Sequence, residues 1–270
     1  MQIIFSPNRV ILSLADKQSY MKIALIGYGK MGRAIERIAL AKGYDVPQVF
    51  DETNLHEFTV ENLRKTDVAI EFSTPKSAAD NILKCFEAGV PVVCGTTGWL
   101  DRMDEIKKTC LEKGQAFFYA SNYSIGVNLF FKLNEHLAEL MRDHPEYFPS
   151  IEEIHHVHKK DAPSGTAITL AEGLIKGHGG ISKWTLDKDD VERKEGELPI
   201  NSIRIGEVAG THIVFYTSEA DEIKISHEAY SRRGFGEGAV HAAAWLFGKK
   251  GVFGMDDMLG WNKYKRMDIE

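Results

Sequence analysis

Three of the ten histidines in this 270-residue chain fall within four positions of one segment. It reads Glu153-Ile154-His155-His156-Val157-His158-Lys159-Lys160-Asp161-Ala162-Pro163-Ser164-Gly165-Thr166-Ala167. Histidine can give or take a proton near neutral pH. Lysine can neutralise a carboxylate or donate a proton. Ser164-Gly165-Thr166 opens a helical pattern, and the free N–H groups of a helix start attract an anion. Together these types suit a small carboxylate substrate that must be protonated. If Ile151–Lys159 is one strand, alternation puts His155 and Lys159 on one face and His156 and His158 on the other. Four extended residues span roughly 13 Å, so His155 and Lys159 meet one small molecule only if the chain bends near Val157–Lys160. Asp161 and Pro163 favour that bend, and Asp161 reads as a helix cap or structural partner. His158 and Lys160 read as surface residues. Adjacent histidines point apart and no carboxylate or cysteine completes a ligand set, so no metal is expected.

A second group of residues could hold a phosphate. Gly27-Tyr28-Gly29-Lys30-Met31-Gly32 is G-x-G-x-x-G, following the apolar run Lys22–Ile26 and opening a helix whose apolar positions recur to Gly43. The first glycine permits the tight turn, the second lets a pyrophosphate approach the backbone, and the third lets helix and strand pack closely. Asp51 ends the next strand, about 20 residues after the last glycine, where a carboxylate accepts hydrogen bonds from an adenosine ribose. Asp51-Glu52 would repel a 2′-phosphate and favours NADH over NADPH. Lys30 and Arg33 stand near enough on the loop to keep both cofactors open. Phe72-Ser73-Thr74, Gly95-Thr96-Thr97 and Ala120-Ser121-Asn122-Tyr123 follow three further strand patterns, at the strand ends where open α/β sheets bind ligands.

These groups need a frame. Strands are predicted at Lys22–Ile26, Val46–Phe50, Val68–Phe72, Pro91–Cys94 and Ala116–Tyr119, with helices over Met31–Gly43, 75–88 and Asp101–Lys113. That alternation specifies a Rossmann-like, doubly wound parallel sheet. A long helix, Val127–Met141, begins a different pattern: strand Ile151–Lys159, helix Gly165–Lys176, then strands Ser202–Val208, Ile213–Thr217 and Glu222–Ala229 without long helices between them. This predicts a substrate-binding and oligomerisation domain of α+β type, with a mixed open sheet whose uncovered face packs against another subunit. The apolar helix Gly238–Phe247 resembles those of the first domain. The expected division is an N-terminal extension (1–20), a dinucleotide-binding domain (21–126 and 236–270) and the second domain (127–235), with Met21 as the natural structural start.

Composition excludes several function classes. Thirty-three basic against 39 acidic side chains give a net charge of −6, against a dedicated nucleic-acid binder. No apolar run approaches the roughly 18 residues of a membrane span, and Val10–Ala15 is too short for a signal-peptide core. Cys85, Cys94 and Cys110 are odd in number and lack metal spacing, fitting a reduced, cytoplasmic protein.

From Met21 to about Leu259 the chain resembles the 4-hydroxy-tetrahydrodipicolinate reductase (dihydrodipicolinate reductase) family of lysine and diaminopimelate biosynthesis. The likeness is carried by the glycine loop, Gly95–Gly98, Asn122–Asn128, the His/Lys/Ser-Gly-Thr segment, Arg204-x-Gly206, Gly210-x-His212, and Ser231-Arg232 with Phe235 and Gly238-Ala239. It implies an NAD(P)H-dependent reduction of a cyclic imine-type dicarboxylate, with His155 as proton donor or acceptor and Lys159 as proton donor. It also implies substrate binding by His156, Gly165 and Thr166, cofactor binding by the glycine loop, Asp51 and the strand-end residues, and a homotetramer joined through the second sheet. Residues 1–20 have no counterpart, Asp51-Glu52 lacks the arginine of NADPH-using members, and Gly236 stands where alanine is common. The rivals are another Rossmann dehydrogenase of amino-acid metabolism and a non-catalytic dinucleotide sensor.

Overall fold

The computed structural model describes residues 20–186 and 195–261. The predicted extension, but for Tyr20, and residues 262–270 of the first domain lie outside them.

Two sheets organise the chain. The first has six parallel strands in the order β11-β5-β4-β3-β1-β2. These are β1 (Lys22–Ile26), β2 (Asp45–Phe50), β3 (Val68–Glu71), β4 (Val92–Cys94), β5 (Ala116–Tyr119) and β11 (Gly251–Phe253). The central strands are apolar runs because both faces are covered: β1 is buried from Ile23 to Ile26, and β3 and β4 along their whole length. On one face α1 (Lys30–Ala41) and α7 (Arg233–Leu246) pack Ile35, Ala39, Ala239, Val240 and Leu246 against Ile23, Leu25, Ile70 and Val93. On the other, α3 (Pro75–Ala88) and α4 (Met103–Glu112) pack Ile82, Phe86 and Ile106 against Ala24, Ala69, Val92 and Phe117. Each fully buried Ile, Leu, Val or Phe contributes about 1.5–3 kcal/mol. β1 lies between β2 and β3, so the chain reverses its winding direction there, and the carboxyl ends of β1 and β3 flank the crevice that such sheets use. The one-turn helices α2 (Val60–Leu63) and α8 (Met255–Met258) complete this half.

The second sheet has the order β10-β9-β6-β8-β7. It comprises β6 (Phe148–His155), β7 (Lys183–Leu186), β8 (Glu197–Arg204), β9 (Thr211–Thr217) and β10 (Glu222–Glu228). It is mixed: β6–β8 and β7–β8 are parallel, β6–β9 and β9–β10 antiparallel. The helices α5 (Ile125–Met141) and α6 (Gly165–His178) cover one face, where Phe130, Met141, Leu170 and Leu174 meet Ile151, Leu198, Ile200, Val214 and Tyr216. Alternation sends Ser150, Glu152 and Ile154 of β6 and Ile213 and Phe215 of β9 to the other face, where each stays partly exposed.

Two strand predictions need correction. β6 starts at Phe148 and stops at His155, and β8 runs over Glu197–Arg204 rather than Ser202–Val208. Gly206 adopts φ +53°, a left-handed conformation that turns the backbone out of the ladder. β7 and β11, of four and three residues, have too few positions to show a period, and the sequence pattern does not predict them.

Candidate active site

Glu153 and His155 are two apart on β6 and so share the helix-covered face. Glu153 is fully buried and His155 nearly so. Beyond His155 the backbone turns. His156 N–H donates to Val208 O at 2.8 Å, Val157 N–H to Gly206 O at 3.2 Å, and Lys159 N–H folds back to His156 O at 3.1 Å. The expected alternation therefore ends at His155, and the required bend near Val157–Lys160 is present. It brings Lys159 close enough for its charge to act on His212 of β9. The Lys159 ammonium lies 2.7 and 2.9 Å from the two Asp161 carboxylate oxygens. Burial would raise the Asp161 carboxyl, but that hydrogen bond holds it below its ordinary value. Asp161 is this partner and not the helix cap. Ser164 caps α6, its Oγ accepting from Ala167 N–H at 3.2 Å. Gly165 and Thr166 open the helix, exposed and half-buried, with first-turn amides that have no partner within the helix. His156 is half-buried with an unpartnered Nδ1. His158 and Lys160 are exposed, His158 lying 3.2 Å from Glu207.

A buried polar group stands behind these residues. Glu153 Oε1 accepts from Arg204 Nη2 at 2.7 Å and from Ser164 N–H at 3.3 Å, while its Oε2 pairs with His155 Nδ1. Burial alone would push the Glu153 carboxyl up. Hydrogen bonds from His155 and Arg204 outweigh it and hold the group down at about 2. The His212 ring lies 5.1 Å from that of His155, and its Nε2 is 3.0 Å from Ser164 Oγ. Burial, followed by repulsion from His155, pushes His212 down to about 3. One donor atom each from Glu153, His155 and His212 lie within 4.8 Å of one another, a spacing that a metal ion could use. The expectation that no carboxylate joins the histidines is thus corrected: Glu153 does, from two positions upstream. Arg204 already supplies it with a positive charge. The sequence pattern assigns no role to Glu153, Arg204 or His212. For Glu153 the signal is local, an acid at strand spacing from His155. The other two come from β8 and β9.

His212 and Glu153 make acid stability a measurable consequence. His212 is neutral in the fold down to about pH 3, whereas an unfolded histidine takes up its proton near 6.5. The unfolded state therefore binds more protons across that window, and stability falls as pH drops below about 6.5. Glu153, depressed from the ordinary carboxyl value, acts in the same direction below about 4.5. Urea midpoints are expected to decline from pH 7 to 4. In His212→Gln the decline should be shallower by up to about 1.4 kcal/mol per pH unit. Parallel curves would refute this origin.

The other candidate residues gather at the carboxyl ends of the first sheet. Gly27 has φ +92°, and a Cβ there would fall 2.1 Å from Phe72 O. A Cβ on Gly32 would fall 2.3 Å from Gly27 O. Gly29 faces open space where α1 begins: a Cβ there would meet nothing within 4 Å. That open approach to first-turn amides fits a pyrophosphate. Asp51 Oδ1 accepts from Thr53 N–H at 2.8 Å and Thr53 Oγ1 at 2.6 Å. These bonds lower the Asp51 carboxyl, with a smaller contribution from Arg33. Lys30 is exposed, and Tyr28 and Met31 are half-buried. Among the strand-end residues, Ser73 N–H donates to Thr96 Oγ1 at 2.9 Å, joining the β3 and β4 ends. Thr74, Thr97 and Ser121 are exposed. Phe72 lies against Gly95, where a Cβ would strike its ring. Tyr123 is a brace: its ring is buried and its hydroxyl donates to Cys94 O at 2.7 Å. Ala120 and Asn122 are also buried, and Asn122 Oδ1 accepts from Ser124 N–H at 2.9 Å. The fully buried Glu71, which no motif marks, accepts from Ser73 N–H at 3.1 Å and Cys94 Sγ at 3.1 Å, and so fixes this loop from beneath.

Comparison with known proteins gives a consistent result. Family models for the N-terminus and C-terminus of dihydrodipicolinate reductase match residues 21–123 and 126–259. A 4-hydroxy-tetrahydrodipicolinate reductase of Christiangramia forsetii is 46% identical over 243 residues, 88% of this chain and 98% of that protein. One from Archaeoglobus fulgidus is 35% identical, covering 88% of this chain and all of its own length. Among solved structures, a dipicolinate-bound dihydrodipicolinate reductase from Paenisporosarcina sp. TG-14 shares the fold, with a TM-score of 0.69 and 23% identity over 88% of this chain and 99% of that one. With both halves matched and full-length relatives above 30% identity, the chain belongs to the dihydrodipicolinate reductase family.

Proposed function

We propose that this chain reduces 4-hydroxy-tetrahydrodipicolinate to tetrahydrodipicolinate in lysine and diaminopimelate biosynthesis, with a nicotinamide dinucleotide as reductant. The observation that carries the reading is the turn after β6, which sets Lys159, His155 and the free amides of Gly165 and Thr166 around one end of the second sheet. An ammonium and a helix N-terminus suit the two carboxylates of such a substrate, and the solved fold relative holds a dicarboxylate, dipicolinate.

Gly27, Tyr28, Gly29, Lys30, Met31, Gly32 and Asp51 hold the dinucleotide, and Phe72–Thr74, Gly95–Thr97 and Ala120–Tyr123 form the wall beside its reactive end. When bound, the reduced nicotinamide would supply the hydride, and the 4-hydroxyl of the substrate leaves as water, so that one hydride and one proton are taken up for each water released. The chain supplies the rest. Gly165, Thr166 and His156 orient the substrate, Lys159 binds a carboxylate and donates a proton, and His155 gives or takes one. Fixed donors lower the barrier by meeting charge as it develops, without having to reorganise. The face of the second sheet that no described helix covers, with Ile154, Ile213 and Phe215 partly exposed, is the joint of a homotetramer, for which light scattering should return four chain masses. The setting is the cytoplasm.

The test is turnover of freshly generated substrate with each cofactor. Asp51 stays ionised at assay pH and would face a 2′-phosphate with like charge. NADH is therefore expected to give at least a tenfold higher kcat/KM than NADPH, and Asp51→Asn to narrow the ratio. Arg33 moderates the repulsion, so NADPH turnover should be measurable. A strong NADPH preference would overturn the role of Asp51, and no turnover with either cofactor would overturn the function.

A further inference from the structure

The reading of His155 as the group that exchanges protons leaves open which ring nitrogen does so. Glu153 answers this. Its carboxylate has two distinct sides. Oε1 is taken by two donors that cannot act as acceptors, the Arg204 guanidinium at 2.7 Å and the Ser164 amide at 3.3 Å. Oε2 is left for His155 Nδ1. The two atoms are in direct contact, and an ionised carboxylate only accepts, so the contact favours the hydrogen of a neutral ring on Nδ1. The other nitrogen, Nε2, points towards Gly210, where a Cβ would come within 3.0 Å of it. The missing side chain keeps that nitrogen clear. The Arg204 Nη2 that holds Glu153 also donates to Asp161 O at 2.6 Å. Asp161 in turn carries the ion pair to Lys159, and Ser164 is the cap of α6.

We propose that Glu153, held by Arg204, is the positioning residue of the active site: it locks His155 in the Nδ1–H tautomer, presents Nε2 to the substrate, and ties that ring to the Lys159 turn and the α6 N-terminus. The proposal rests on the role given to His155 above. Glu153 touches no substrate, and its effect runs through His155.

Glu153→Gln separates positioning from simple packing, because it keeps the shape and changes the donor pattern. The amide oxygen must face Arg204 and Ser164, which only donate, so the amide NH2 faces His155. Nδ1 must then accept, and the hydrogen moves to Nε2. Two-bond 1H–15N spectra of histidine-labelled protein at a pH where the ring is neutral, assigned with His155→Gln, read the tautomer directly. In the unaltered enzyme His155 should show Nδ1–H with a bare Nε2. In Glu153→Gln it should show Nε2–H, with kcat lowered at least tenfold, substrate KM within threefold and NADH affinity unchanged. Nε2–H in the unaltered enzyme would overturn the proposal, whether or not the variant folds. So would a variant with the original tautomer and turnover. Wild-type turnover in His155→Gln would overturn the reading of His155, and this proposal with it, even where the spectrum shows Nδ1–H. The spectrum tells the two failures apart.

Discussion

Replacing Lys159 by alanine is expected to lower kcat by about 10²–10⁴-fold, the range for loss of a positioned proton donor, while NADH binding stays as it was. Lys159 sits on the turn between β6 and α6, whereas the proposed phosphate loop is Gly27–Gly32 at the start of α1. Dinucleotide titrations, followed by quenching of fluorescence, should therefore overlay those of the unaltered protein. Folding should also survive. The partner lost is Asp161, whose side chain is 59% exposed, and a pair so open to water is worth at most about 1 kcal/mol. Lys159→Arg then tells anchoring from proton donation. An arginine keeps the positive charge that holds a carboxylate but does not release its proton at any working pH. If Lys159 donates the proton, the arginine variant recovers KM and remains as slow as the alanine variant. Recovery of kcat would reduce Lys159 to an anchor, and unaltered turnover in Lys159→Ala would remove it from the active site.

The parts of this architecture that can be read from sequence are those whose cause lies within a few residues. The glycine loop announces itself because turn, backbone approach and helix packing each demand a missing side chain at a fixed spacing, and β1 and α1 fall where the pattern places them. The start of α6 at Ser164-Gly165-Thr166 is legible for the same reason, although its cap is Ser164, which bonds the amide three residues on, and not Asp161. What cannot be read depends on partners distant in the chain. Ile151–Lys159 alternates well enough to look like one strand. It ends at His155 because His156 and Val157 bond to Val208 and Gly206, in a loop about 50 residues away whose own bend carries a strand-like pattern. The ion pair between Glu153 and Arg204 likewise joins β6 to β8, and no local pattern marks it. The same holds for β11, three residues with no period of their own, which extends the first sheet because β5 offers an open edge. Proton chemistry is visible as residue types. The groups that aim it become visible only with the sheet register.

Gly238 links the last long helix to the proposed cofactor wall, and Gly238→Ala is expected to be costly in a way that the neighbouring Gly236→Ala is not. A Cβ at 238 would lie 1.8 Å from Tyr123 O and 2.7 Å from Tyr123 C, well inside any tolerable contact. Tyr123 cannot yield easily. Its hydroxyl is bonded to Cys94 O at 2.7 Å, its ring packs against Phe72 and Phe118, and the next residue, Ser124, caps α5. Either α7 lifts from β3 and β4 or the Tyr123–Ser124 backbone moves. Overpacking of this kind costs about 1–3 kcal/mol or more, beyond the roughly 1 kcal/mol that alanine gains over glycine within a helix. A Tm lower by about 5–10 °C follows from the usual 2–4 °C per kcal/mol for chains of this size. Because the displaced backbone belongs to the Ala120–Tyr123 wall, the KM for NADH should rise as well. At 236 the nearest atom is Ile38 Cδ1, at 2.6 Å, the end of a side chain that can rotate away. There the strain is relieved by one torsion and the gain in helix propensity remains, so Gly236→Ala should melt within about 2 °C of the unaltered protein. Equal melting temperatures for the two variants would show that the contact at Tyr123 is not rigid, and that α7 does not set the position of the cofactor wall.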